Sequence, residues 1–332
     1  MKAKYLTELT LGARTDSVAL VRSKEVRVAR NGDAYLALEL ADRTGSMPAV
    51  LFRPGPAASE IPVGAVARVT GVVTSYRGIK RLAMDSLVPA ATWDSSDLLP
   101  VGPRDGDELK SEFVRITKSI TQSGLRRLLR AVFVEPGLFD RFCVAPASQS
   151  SHHAYVTGLL EHTVAVAGLC SQLAACYEGA DHDLLVTAAL LHDIGKLDEL
   201  VAGSGISYTD EGRLLGHVVL GHQRVLKAAQ NARLEPAVLL RLGHVMLSHH
   251  GELEWGSPKR PATLEALLLH HVDNLDAKAA GLSTILAGAT RADETWTDAS
   301  NLFRRPLHAP RAVEDDRPYR ATEDDLEVRR SA

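Results

Sequence analysis

The sequence predicts a multi-domain α+β chain, a small β-barrel followed by an all-α domain. Three observations carry this. Short β-rich segments alternate with turn signals between residues 15 and 90. Proline and glycine then cluster up to about residue 107. From Asp107 onward apolar residues recur at helical spacing, with no convincing strand.

The segments 18–21, 26–29, 35–40, 47–52, 65–73 and 80–87 are rich in β-formers or alternate polar with apolar. Asn31-Gly32-Asp33, Asp42-Arg43-Thr44-Gly45, Pro54-Gly55-Pro56 and Arg77-Gly78 separate them as turns. Five or six short strands in so little chain fit an OB-fold, a barrel that binds oligonucleotides on one face. Residues 1–90 are assigned to this domain. Residues 91–107, with Pro100, Gly102, Pro103 and Gly106, read as a linker. Residues 108–309 form the helical domain, where Leu125, Leu128, Leu129 and Val132 share a helix face. Further helices are expected near 153–178, 181–193, 214–231, 235–249 and 261–289. Residues 310–332 alternate acidic clusters with Arg and Pro and are expected to form a disordered tail.

Composition is that of an ordinary globular protein, 45% hydrophobic and 24% charged over 332 residues. No apolar run approaches the roughly 18 residues that span a bilayer. Met1-Lys2-Ala3-Lys4-Tyr5 lacks the apolar stretch of a signal peptide. No membrane association and a cytoplasmic location are therefore expected. Cys143, Cys170 and Cys176 show no metal-knuckle spacing, and Cys170 and Cys176 read as small core residues of a helix. Residues 1–90 carry 13 Lys and Arg against 8 Asp and Glu, while the rest carries 25 against 33. A basic module on an acidic body points to a polyanionic partner.

The chemistry lies in a dispersed set of histidines and aspartates. His162 falls inside an apolar helical pattern. His192-Asp193 ends another, followed by Ile194-Gly195-Lys196. His217, the pair His249-His250, and Asp273 come later. Residues 184–191 before the pair are almost wholly apolar, and Gly195 is a natural helix stop. Two polar side chains at a buried helix end need partners. A divalent cation satisfies both, and imidazole with carboxylate suits Mn, Fe, Co, Ni or Zn over Ca or Mg. His182, His222, His244 and His308 read as ordinary surface or satisfied histidines.

His162, His192-Asp193 and Asp273 resemble the H…HD…D signature of the HD phosphohydrolase superfamily. The runs Gly158-Leu159-Leu160-Glu161-His162-Thr163, Leu214-Leu215-Gly216-His217 and Ser248-His249-His250-Gly251, with Trp255-Gly256-Ser257-Pro258, are similar to the YhaM-type 3′→5′ exoribonucleases. That family joins an OB-fold to an HD domain. The resemblance implies that His162, His192, Asp193 and Asp273 hold one metal ion. It further implies that Asp193 bridges to a second ion held by His217, His249 and His250. Two divalent ions per chain are expected, with Mn favoured and Co, Fe, Ni or Zn as the other candidates. Asp193 and Lys196 are the catalytic candidates, Lys196 as a cation facing the phosphate, with a solvated helix-end residue as its alternative.

Single-stranded RNA or DNA is the expected partner. Tyr35, Phe52 and Tyr76 are candidates for base stacking, and Lys80, Arg81, Lys259 and Arg260 for backbone contact. Arg22, Arg27, Arg30, Arg53 and Arg77 join them on the barrel. Trp255 is a stacking face or a loop anchor. His152 and His153 contact phosphate or merely begin a helix. Two alternatives stand: an HD-type phosphodiesterase acting on cyclic dinucleotides or nucleotides, and a non-catalytic nucleic-acid-binding protein. Whether the chain forms a homo-oligomer is left open.

Overall fold

A computed structural model describes residues 5–28, 32–76, 78–94, 97–149, 153–203, 205–288 and 295–309. Alternating residues drive the first half into β1 (Arg14–Val28), β2 (Ala34–Asp42), β3 (Gly45–Phe52), β4 (Val66–Tyr76) and β5 (Ile79–Pro89). They close into a barrel in the order β1-β2-β3-β5-β4. The β3–β5 seam is parallel and β4 returns antiparallel to β1. The segments expected at 18–21 and 26–29 are one strand of 15 residues. A register shift between Val21 and Ser23 bends it, so its first half pairs with β4 and its second with β2. Every second side chain, among them Ala19, Val21, Leu36, Leu38, Leu40 and Leu82, points into the barrel and is buried. A 3₁₀ turn, Leu6–Glu8, puts Leu6 and Leu9 into the same core, where the Leu6 N–H donates to Asp42 Oδ2 at 2.7 Å. The short α1 (Pro56–Glu60) connects β3 to β4.

The helical part comprises α2 (Gly106–Ser119), α3 (Ser123–Val132), α4 (Leu138–Val144), α5 (Gly158–Cys176), α6 (His182–Leu191), α7 (Lys196–Glu199), α8 (Asp210–Ala232), α9 (Pro236–Ser248) and α10 (Leu264–Gly288). One hairpin interrupts it, β6 (Leu200–Ala202) with β7 (Ile206–Tyr208). Strands of three residues are too short to show a period of two, which is why the sequence pattern missed them. The premise that no apolar stretch is long enough to span a bilayer needs correction. α5 has 19 residues with a mean hydropathy of 1.3, long and apolar enough to cross a bilayer by length and composition. It is instead a core helix: half of it is buried, and it carries Glu161 and His162 inside the protein.

The helix ends are tied by carboxylates. Asp183, in the first turn of α6, accepts from Thr121 N–H and Oγ1 at 2.8 Å and from Gln122 N–H at 2.6 Å. Burial raises its pKa, but His182 and these donors outweigh it and hold it below the ordinary value. Asp183→Ala should therefore cost about 3 kcal/mol in denaturant unfolding at pH 7. A depressed folded-state pKa stabilises above the unfolded pKa and ceases to do so as pH falls through the folded value. The difference between wild type and variant should thus shrink below about pH 4.

The cysteines are arranged differently from expectation. Cys143 and Cys170 are buried, whereas Cys176 is exposed because the last turn of α5 leaves the core. Burial pushes the Cys143 thiol up to about 11 and the Cys170 thiol up to about 12. At pH 8 a thiol reagent should label Cys176 readily in the native protein, and all three thiols only after unfolding.

The described residues from Gly281 onward group into a second compact unit. Among its described residues, Trp296 bridges His308 with ring centroids 5.0 Å apart. The expected tail at 310–332, together with Arg30, Arg77 and His152, lies outside the described residues.

Candidate metal centre

Five histidines and two aspartates, spread over 112 positions from His162 to Asp273, come together in the helical core. α5 supplies His162. His192 caps the C-terminus of α6, and Asp193 follows it. His217 sits just after a kink in α8 at Gly216, whose φ of 75° suits glycine. His249 caps α9, with His250 next to it. Asp273 lies on α10. Gly195 is not the left-handed stop that the sequence suggested. α6 already ends at Leu191, and Gly195 has φ −69°. Its role is close approach, since a Cβ there would strike the His217 carbonyl and the Gly221 nitrogen of α8.

Each ring is held by its Nδ1. His192 donates to Ala189 O at 2.8 Å, His249 to Met246 O at 2.7 Å and His250 to Trp255 O at 2.9 Å. His217 Nδ1 lies 3.0 Å from Glu199 Oε1, and His162 Nδ1 lies 2.7 Å from Asp276 Oδ2. These acceptors fix the tautomers and turn every Nε2 inward. There the two oxygens of Asp193 divide the rings. Oδ2 lies 3.4 Å from His162 Nε2 and 3.4 Å from His192 Nε2. Oδ1 lies 3.3 Å from His217 Nε2 and 3.8 Å from His249 Nε2. Asp273 Oδ1 is 3.2 Å from His162 Nε2.

Two close pairs of ring nitrogens show what such a site requires. His162 Nε2 lies 3.1 Å from His192 Nε2, and His217 Nε2 lies 3.2 Å from His250 Nε2. With only Nδ1 protonated in each, the facing lone pairs repel unless a proton or a metal cation sits between them. His249 Nε2 is buried with no hydrogen-bond partner, which is costly in a site built only of protein. The donor atoms of His217, His249 and His250 lie within 4.8 Å of one another, as do those of His162, His192 and Asp193. Ligands about 2.1 Å from a shared ion present such spacings. The residues present therefore fit divalent transition metals.

The electrostatics agree. Burial would raise the Asp193 carboxyl, but the Lys196 ammonium and the His192 ring outweigh it and hold Asp193 well below the usual range. Asp273 is lowered in the same way, chiefly by His162. Burial works against the charged His162 ring, yet Asp193, Asp273 and Asp276 hold it well above its ordinary value. This corner of the site favours positive charge. Burial, with His250 and His192 beside it, holds His249 well below, so that ring is kept as a neutral donor. Lys196 is nearly buried, with Nζ 2.6 Å from Asp193 Oδ2, and is not a solvated helix end.

A cleft of about 310 Å³ opens on the cluster, lined by Asp193, Lys196, His217, His250, Trp255 and Asp273 together with Tyr208, His270 and Asn274. Trp255 is 52% exposed, and Lys278 Nζ lies 5.7 Å from its ring. Lys259 and Arg260 do not line the cleft, and Arg260 pairs with Glu252 at 3.1 Å. On the barrel, Tyr35, Phe52, Tyr76 and Arg81 line one groove of about 890 Å³. The Tyr35 and Phe52 rings lie 5.5 Å apart, and Arg81 covers Tyr76 at 4.4 Å. Lys80 departs from expectation: its ammonium donates to Thr7 O and Leu9 O and holds the N-terminal turn. Arg27 and Arg53 are paired with Glu25 and Asp33, so the basic barrel is less bare than its composition implied, while Arg22 is exposed. Sequence reasoning missed Glu199 and Asp276, because a single carboxylate on a helix looks solvated. The only signal was the i, i+3 spacing of Asp273 and Asp276.

The family model described as "HD domain" matches residues 159–278, and that described as "HDOD domain" matches residues 114–201. A 3′-5′ exoribonuclease YhaM of Bacillus subtilis is 33% identical over 281 residues, 83% of this chain and 88% of that protein. The protein of the same name from Bacillus licheniformis is 33% identical with the same coverage. Among solved structures, the second OB-fold domain of replication protein A from Methanococcus maripaludis matches at 23% identity with a TM-score of 0.23, covering 28% of this chain and 99% of that one.

Proposed function

Because this chain belongs to the YhaM family of 3′-5′ exoribonucleases, we propose that it is a metal-dependent exonuclease that degrades single-stranded RNA from the 3′ end. The observation that carries this is the division of inward-facing Nε2 atoms between the two oxygens of one buried carboxylate, Asp193.

His162, His192, Asp193 and Asp273 would hold one divalent ion, and Asp193, His217, His249 and His250 a second, with Mn favoured. When bound, such ions lower the pKa of water to near neutrality and neutralise charge on a phosphodiester. The protein's own groups do the rest. Asp193 serves both halves of the site. The Nδ1 acceptors keep each ring in its donor orientation. Lys196, fixed against Asp193 at the edge of the cleft, places positive charge where phosphate oxygens gain charge during displacement. Trp255 offers a half-exposed face to a base, which tolerates any sequence. The aromatic groove of the barrel retains the rest of the strand.

A 5′-labelled single-stranded RNA incubated with the protein and Mn²⁺ should give a descending ladder and mononucleotides. Hydrolysis of a cyclic dinucleotide with no ladder would overturn this in favour of a small-molecule phosphodiesterase.

A further inference from the structure

We propose that Asp276, braced by His153 and Tyr155, is the positioning residue that fixes the His162 ring for metal binding. The proposal rests on the metal-dependent reading above. His192 and His249 cap helices, so the carbonyls three residues back, Ala189 O and Met246 O, are available to their Nδ1 atoms. His162 lies inside α5, where those carbonyls bond within the helix, so it needs an acceptor from elsewhere. Asp276 of α10 provides it at 2.7 Å.

The same Asp276 oxygen also meets His153 Nε2 at 3.0 Å. His153 Nδ1 lies 2.7 Å from the Tyr155 hydroxyl oxygen. That hydroxyl donates to Glu161 Oε2 at 3.0 Å. A chain of polar side chains thus leads from Glu161 to a ring of the metal cluster, and His153 and Glu161 are buried.

The backbone is strained to build it. His153 has φ 52° and Thr157 φ 73°, left-handed values that a β-branched residue rarely adopts. Gly158 is required beside them, since a Cβ there would collide with the His153 carbonyl. Strain of this kind persists where surrounding contacts enforce it, and it gathers at functional sites. The segment precedes the stretch matched by the HD model, which begins at residue 159. A carboxylate on Nδ1 sets the tautomer and raises the donor strength of Nε2, an effect typically of 10–100-fold in metal affinity.

The test is Mn²⁺ binding by titration calorimetry on the full chain, with unfolding of the metal-free protein measured in parallel. Asp276→Ala should weaken Mn²⁺ binding about 10–100-fold. Asp276→Asn, which keeps an acceptor oxygen, should recover part of the loss, and raised Mn²⁺ should restore cleavage. Tyr155→Phe, which keeps the ring, should weaken binding a few-fold and carries the test if Asp276→Ala does not fold. Folded variants with wild-type Mn²⁺ affinity would overturn the proposal. Wild-type protein that takes up no Mn²⁺ would overturn the metal reading, and this proposal with it.

Discussion

Asp193→Asn is expected to lower RNA cleavage by at least about 10³-fold, roughly 4 kcal/mol of transition-state stabilisation. Among the described residues, Asp193 is the one whose two oxygens face both sets of imidazoles. Its loss therefore affects both halves of the site at once, whereas any single histidine belongs to one half. An amide also carries no charge to offset Lys196, 2.6 Å away and nearly buried, so some loss of stability accompanies the change. Cleavage and thermal unfolding measured on the same preparation separate the two effects. Oligonucleotide binding should stay close to wild type, because the barrel groove is untouched. Residual cleavage within tenfold of wild type would contradict the role given to Asp193.

The second large effect is expected on the barrel. Phe52→Ala and Tyr35→Ala should each weaken binding of a single-stranded RNA about 5–100-fold, the range for removing one stacking ring. Phe52 is 53% exposed on the groove, with Tyr35 5.5 Å away, a surface that folding alone does not explain. Hydrolysis of a dinucleotide, which offers the groove little strand to hold, should change little. Arg27 is already paired with Glu25, which leaves Arg81 as the main basic contributor among the charged residues lining the groove. Salt dependence should therefore be shallow, a slope of about −1 in log K against log salt. Equilibrium binding at several salt concentrations measures both quantities.

The sequence made the main chemistry legible because polar residues stood out against apolar runs. His192-Asp193 closes a run of buried aliphatics, and only a charged partner accounts for it there. The barrel strands were legible through their period of two. What stayed hidden lacked contrast. Glu199 follows Lys196 and Asp198 in a short polar stretch, and Asp276 sits among the polar residues of α10, so neither departs from an ordinary solvated face. The hairpin β6–β7 was too short for a pattern. Cys176 looked buried because the apolar pattern of α5 continues into its exposed last turn. Lys80 looked available because composition does not reveal that Thr7 and Leu9 carbonyls lie within its reach.

The most direct measurement is the amount of Mn²⁺ retained per chain by purified protein, compared between wild type and Asp193→Asn. Wild type should hold about two ions and the variant should lose tight binding of both. Wild-type protein that cleaves RNA while holding no divalent ion, or a variant that binds as wild type does, would contradict convergence of these imidazoles on a shared carboxylate as the source of activity.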